Sequence, residues 1–150
     1  MTTTYRGAWK EAEVAEFLQQ SSFPIRLASV GADGFPRVVS LWFRHQQDQI
    51  LCVSHRDSHL IKILSANPRV GFEVAPNEPP YYGVRGQALV SLEPLGDKST
   101  LHELLSRYLG GSDSGLGQWL LDRSDEELLI TLKPSRIYSW DYRERMAEAV

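Results

Sequence analysis

The sequence predicts an α+β fold built on an antiparallel β-barrel of about six or seven strands with flanking helices. Three observations carry this expectation. Strand-forming segments mostly follow one another directly, without the alternating helices of a parallel sheet. Turn residues separate them at short range, most clearly at Gly31-Ala32-Asp33-Gly34, where glycine enters positive φ without steric cost. Helical periodicity is confined to a few stretches.

The first of these runs from Trp9 to Gln20, where Ala12, Ala15, Phe17 and Leu18 share a face. Ser21-Ser22 and Pro24 end it, because the residue before proline avoids the helical region. Strands follow at Ile25 to Val30 and at Pro36 to Phe43. In the second, Arg37, Val39, Leu41 and Phe43 share one parity and Val38, Ser40 and Trp42 the other. Neither face is purely polar, so this strand is expected to be covered on both sides. A hairpin at Gln46-Gln47-Asp48 leads to a strand at Ile50 to Ser54.

Ser58 is placed to cap a helix with Leu60, Ile61 and Leu64 as its buried stripe, and Asn67-Pro68 stops it. A strand over Arg69 to Ala75 and a loop at Pro76 to Pro80 precede a long strand from Tyr81 to Glu93, in which Gly83 and Gly86 mark bends or bulges. A helix over Thr100 to Leu109 buries Leu101, Leu104, Leu105 and Tyr108 and is closed by Gly110-Gly111. A shorter helix covers Gly115 to Leu121. Two final strands, Leu128 to Lys133 and Arg136 to Asp141, flank Pro134-Ser135. The expected organisation is one domain, with an N-terminal helix in 1–22, the barrel in 23–142 and a tail in 143–150.

The 150 residues suit one domain with a real core. Hydrophobic and charged contents of 42% and 23% are those of a soluble globular protein. A net charge of −3 argues against general nucleic-acid binding, which calls for a basic domain, yet leaves room for a local basic pocket. The single cysteine, Cys52, excludes an intrachain disulfide, and its apolar strand makes it a small buried hydrophobe. No signal-type segment and no apolar run of membrane-spanning length is present. The expected setting is cytoplasmic, without membrane or nucleic-acid partners.

Three segments draw attention. Arg37 stands on the same parity as apolar residues, where a charge escapes to solvent or finds a partner. It is either an exposed strand-end arginine or a bidentate grip on a phosphate. Ser54-His55-Arg56-Asp57-Ser58-His59-Leu60-Ile61-Lys62 gathers hydroxyls, imidazoles and free backbone N–H groups at a helix start, which attracts anions. Its plain alternative is a capped helix with a solvated basic surface. His55 and His59 lie four apart, but Ser58 as cap leaves His55 outside the helix and no third ligand is evident, so no metal site is assigned. Pro79-Pro80-Tyr81-Tyr82-Gly83-Val84-Arg85-Gly86 offers tyrosines beside a bent strand, as the wall of a flat ligand or as core and interface; Trp140-Asp141-Tyr142-Arg143 invites the same division. The Gly-x-Ser-x-Gly, Gly-x-x-x-x-Gly-Lys and Gly-x-Gly-x-x-Gly signatures are absent. No titratable residue is singled out as a catalytic acid or base.

In order along the chain, Asp33-Gly34-Phe35-Pro36-Arg37-Val38-Val39-Ser40-Leu41-Trp42-Phe43, Ser58 to Asn67, Pro68-Arg69-Val70 and Val84-Arg85-Gly86-Gln87-Ala88 resemble the pyridoxamine 5'-phosphate oxidase-like family of flavin-binding split β-barrels. The resemblance covers about Phe23 to Trp140. It implies a split barrel, a homodimer and FMN at the dimer interface, acting on a small-molecule substrate as an oxidoreductase. It places Arg37 at the phosphate, backbone from Val38, Val39 and Ser40 beside the ring, and Ser54 near the ring or ribityl chain. Ser58 and His59 fall at the phosphate, Lys62 close by, and Tyr81 approaches the flavin. Two departures stand out. The family's frequent lysine falls on Leu60 and its neighbouring arginine on His59, so one fixed cation is missing and another depends on pH. Binding of the deazaflavin cofactor or of haem, for which His45, His55 and His59 are available, stays open on these residues. So does a binding role without turnover. The C-terminal Trp140-Asp141-Tyr142-Arg143-Glu144-Arg145 does not reproduce the substrate-phosphate motif of true pyridoxamine 5'-phosphate oxidases.

Overall fold

Eight strands and five α-helices are seen in a computed structural model that describes residues 2–147. In chain order these are β1 (Thr4–Gly7), α1 (Glu11–Gln20), β2 (Ile25–Val30), β3 (Pro36–Leu41), β4 (Arg44–Gln46), β5 (Gln49–His55), α2 (His59–Ala66), β6 (Arg69–Val74), β7 (Tyr82–Pro94), α3 (Ser99–Leu109), α4 (Gly115–Asp122), β8 (Glu127–Asp141) and α5 (Arg143–Met146), with a 3-10 turn at Ser124–Glu126. Of the expected C-terminal tail, residues 148–150 lie outside the described residues, and so does Met1.

The strands form one curled sheet in the order β3-β2-β6-β7-β8-β5-β4, so β3 and β4 are its two free edges and the barrel is split between them. All neighbours on this path are antiparallel. Off the path, β1 pairs with β8 in parallel, Thr4 opposite Arg136 through Gly7 opposite Ser139. The N-terminal segment therefore joins the sheet before its helix begins, which the periodicity of residues 9–20 did not announce.

Two further differences from the sequence reading have physical causes. The last two expected strands are one, β8, which runs through Pro134; a register shift opposite Gln87 and Ala88 lets the ladder pass a residue that lacks an N–H. The strand expected to reach Phe43 stops at Leu41, because the chain leaves β2 there and turns into the opposite edge at β4.

Alternation sorts the side chains into two cores. Inside the curl lie Ile25 and Leu27 of β2, Ile50 and Cys52 of β5, Val70, Phe72 and Val74 of β6, and Ile130 and Leu132 of β8. Val14 and Leu18 of α1 close one side, and Leu60, Ile61 and Leu64 of α2 another. Burial drives the Cys52 thiol up to about 12, so it acts as an apolar filler. On the other side of β5, Leu101 and Leu105 of α3 pack with Leu95, Trp42, Val53 and Leu120 in a second cluster. The outward face of β3 is bare: Val38 is 67% exposed, so this strand is not covered on both sides. No helix among the described residues is long and apolar enough to cross a membrane.

Candidate functional site

Ser58 begins α2 as its N-cap, accepting from Ile61 N at 3.2 Å, and this leaves its hydroxyl at the helix entrance. Ser54, at the inward end of β5, meets it there: the two Oγ atoms are 3.0 Å apart. His59 and Lys62 lie exposed on the first turn and a half of the same helix. The structure thus forms a polar cluster from Ser54 and Ser58, with His59 and Lys62 exposed on the helix that Ser58 caps. The 3-10 turn supports it from below, since Arg56 N donates to Glu126 O at 2.8 Å and His55 Nε2 lies 2.8 Å from Glu126 Oε2. That imidazole contact holds the Glu126 carboxyl below the usual carboxylate range.

Arg37 is placed elsewhere. It sits opposite Ser29 on β2, beside Val30, whose carbonyl accepts from Asn67 at the C-terminal end of α2. Ser58 caps the other end of a helix of about 12 Å. The Arg37 guanidinium is held by Asp33, with Nη1–Oδ1 3.1 Å and Nη2–Oδ2 2.9 Å, and also donates to Phe35 O. It closes over Gly31, where any Cβ would strike it. The pairing lowers the Asp33 pKa. Arg37 and Asp33 together therefore clamp the β2–β3 turn, in which Gly34 adopts φ +80°.

Val39 points inward against the core, and Val38 and Ser40 point outward. Tyr81 is exposed just before β7, and its carbonyl accepts from Tyr142 N at 2.9 Å.

A cleft opens at the split. Ser40, Leu41 and Trp42 at the end of β3 face Val53 of β5, and Leu101, Leu104, Leu116 and Leu120 of α3 and α4 roof it over a volume of 320 Å³. Ligand clefts typically run from about 300 to 1,000 Å³, mostly apolar with few polar groups. Trp42 is fixed by stacking on Tyr108, with centroids 5.2 Å apart and planes at 6°. The polar residue at the far wall is Glu127, only 7% exposed; Arg123 Nε lies 3.1 Å from its Oε1 without hydrogen-bond alignment. Val53 and Ser54 are consecutive, so the apolar cleft and the polar cluster occupy opposite faces of the same strand end.

Sequence reasoning missed this roof. Its signal was the apolar stripe of residues 101–121, which was read as ordinary helix burial. Among the described residues no group of three His, Cys, Asp or Glu side chains is placed to hold a metal ion.

A curled antiparallel sheet split between two edge strands, closed by helices and with a cleft at the split, defines an α+β split-barrel protein. The sequence model of the pyridoxamine 5'-phosphate oxidase family matches residues 11–141, and the chain belongs to that family. No curated protein matches it in sequence. Among solved structures it is similar to the conserved hypothetical protein Rv2991 from Mycobacterium tuberculosis, with 21% identity over 97% of this chain and 92% of that one and a TM-score of 0.79. An F420 reductase is similar at 22% identity, 81% and 94% coverage and a TM-score of 0.67. The haem storage protein HutZ from Vibrio cholerae is similar at 20% identity, 83% and 89% coverage and a TM-score of 0.64. At these identities the likeness is one of fold.

Proposed function

We propose that the chain binds FMN and acts, as a cytoplasmic homodimer, as an FMN-dependent oxidoreductase of a small-molecule substrate. The observation that carries this reading is the unpaired edge of β3 beside the apolar cleft at the split. Val38, Val39 and Ser40 pair with β2 on one side only, so the backbone groups of this stretch that point away from β2 can bond the polar rim of a flat ring, while Trp42, Val53 and the α3–α4 leucines exclude water from it. The ribityl chain then passes round the end of β5, from the cleft on one face to Ser54 and Ser58 on the other, where with His59 and Lys62 they hold the phosphate at the start of α2. Arg37 joins them only by leaving Asp33. Tyr81, exposed before β7 and not among the residues that line the cleft, approaches the flavin from the second subunit. Bound flavin supplies reversible hydride transfer at N5; the chain supplies position and shielding.

Purified protein titrated with FMN and with riboflavin tests this. FMN should bind with a perturbed visible spectrum and more tightly than riboflavin, which lacks the phosphate. No spectral change at saturating FMN, or equal affinity for the two, would sink the reading. Native mass spectrometry should give two subunits.

One observation favours a second reading, in which the ligand is haem. His45 on β4 has a buried Nδ1 without a partner, and burial lowers its pKa, which keeps the imidazole neutral as a ligand requires. A Soret band on haem addition that is lost in His45→Ala would support it. Deazaflavin shares the flat tricycle, and parallel titration against FMN separates the two.

A further inference from the structure

A pocket of 480 Å³ opens beside α1, where that helix meets the start of β7 and of α5. Val14 and Leu18 of α1 turn into the core. The neighbouring stripe at helical spacing, Glu13, Glu16, Phe17 and Gln20, turns into the pocket.

The floor is aromatic. The rings of Trp9, Phe17 and Tyr82 meet in a triangle, with centroids 5.0 Å apart for Trp9 and Phe17, 5.9 Å for Phe17 and Tyr82, and 6.4 Å for Trp9 and Tyr82. Trp9 is fixed there, because its backbone N–H donates to Ser139 Oγ at 2.8 Å and its indole Nε1 to Asp141 Oδ2 at 3.3 Å. All three rings stay partly open to solvent, so this packing leaves apolar surface on which a ligand can lie.

The walls carry opposite charge. Arg143 stands on one, its guanidinium 4.3 Å from the centre of the Tyr82 ring. Asp141 takes the side-on edge of that guanidinium, Nε at 2.9 Å and Nη2 at 2.7 Å. The end-on edge, Nη1 with the second Nη2 proton, meets no acceptor among the described residues and has the spacing of a bidentate grip on a carboxylate. On the helix wall, Glu13 uses one oxygen to accept from Lys10 N at 3.1 Å, and Glu16 uses one to accept from Gln20 Nε2 at 3.3 Å. Each keeps a second oxygen for an incoming donor.

Sign decides the class of ligand. A plain cation is repelled by Arg143 and a plain anion by Glu13 and Glu16, whereas a zwitterion meets opposite charge at both ends. We propose that this pocket binds a small aromatic zwitterion, its ring on Phe17 and Tyr82, its carboxylate on Arg143 and its ammonium on Glu13 and Glu16. None of these residues takes part in the flavin site proposed above, and occupancy of one site does not require the other.

Calorimetric titration with 4-(aminomethyl)benzoate tests it, against 4-methylbenzoate, which lacks the ammonium, and 4-methylbenzylamine, which lacks the carboxylate. The zwitterion should bind, and each singly charged analogue about tenfold or more weakly, as expected for one lost charge-assisted contact. Arg143→Gln should erase the preference for the zwitterion over 4-methylbenzylamine and keep that over 4-methylbenzoate. Glu13→Gln/Glu16→Gln should do the reverse. Glutamine still offers Lys10 N an acceptor, so this double variant tests charge rather than the start of the helix. All three positions are exposed, and the variants should melt with the parent. No binding of the zwitterion up to about 10 mM, equal binding of the zwitterion and either analogue, or preferences that are the same in the variants as in the parent would each overturn the proposal.

Discussion

The guanidinium of Arg107, on α3, donates to the carbonyl of Leu18, at the end of α1, over 2.7 Å. It also donates to Gln19 O at 2.8 Å and to Ser21 O, while its plane lies 4.7 Å above the Phe43 ring. The last turn of α1 contains no basic residue of its own, so its orphan carbonyls are met by a cation supplied from a helix almost ninety residues later. This contact ties the helix that closes the barrel to the helix that roofs the cleft.

Arg107→Ala should therefore destabilise the fold by about 2–4 kcal/mol, since several charge-assisted hydrogen bonds go at once. Arg107→Lys should recover roughly half or less, because an ammonium cannot span three carbonyls and stack on Phe43. Urea unfolding measures the loss. Hydrogen exchange should rise at the end of α1 more than in β8.

Ser58→Ala removes the cap of α2 and the partner of Ser54 together. The expected cost is about 1 kcal/mol of stability. On the proposed function it also lowers FMN affinity while leaving riboflavin affinity unchanged, because only the phosphate is addressed. Ser58→Asp keeps a cap but repels phosphate, and should separate the two roles: stability near the parent, FMN binding weaker than in Ser58→Ala.

Arg37→Ala opens the clamp on the β2–β3 turn. The pair with Asp33 is exposed, so stability should fall only slightly. FMN affinity should fall less than in a His59→Ala/Lys62→Ala double variant, since Arg37 must leave Asp33 to help. An unchanged FMN affinity in Arg37→Ala would remove this residue from the phosphate site.

Local signals made most of the barrel legible. Asp33-Gly34, Ser58 and Asn67-Pro68 sit where the chain turns, caps and stops in the structure. Signals that depend on distant partners were not legible. β1 is four residues long and finds its strand partner at residues 136–139, so it has no period to display. Pro134 reads as a break, and only the register shift opposite it shows how one strand can pass. The apolar outward residues of β3 looked like buried ones, because alternation gives parity but not what stands opposite. Val38 meets open space and Trp42 meets Tyr108. Within the candidate site, sequence adjacency gathered Ser54, Ser58, His59 and Lys62, whereas the cleft joins residues 40–53 to residues 101–127 and needed the fold to be seen.

Asp141 offers a test in pH. At the end of β8 it accepts from Arg143 Nε at 2.9 Å and Nη2 at 2.7 Å, and from Trp9 Nε1 at 3.3 Å. The Arg143 contact leads in bringing its pKa down from 3.8 to about 2. A carboxylate depressed on folding stabilises the fold above its unfolded value, and that contribution disappears as pH falls through the folded value. Asp141→Asn should thus lower stability at neutral pH, by about 1 kcal/mol or less because the pair is largely open to solvent. The gap between parent and variant should hold down to the unfolded value of 3.8 and narrow as pH approaches about 2. Urea midpoints across that range, read with Trp9 fluorescence, measure it. A gap that stayed constant to about pH 2 would show that Asp141 acts through shape rather than charge.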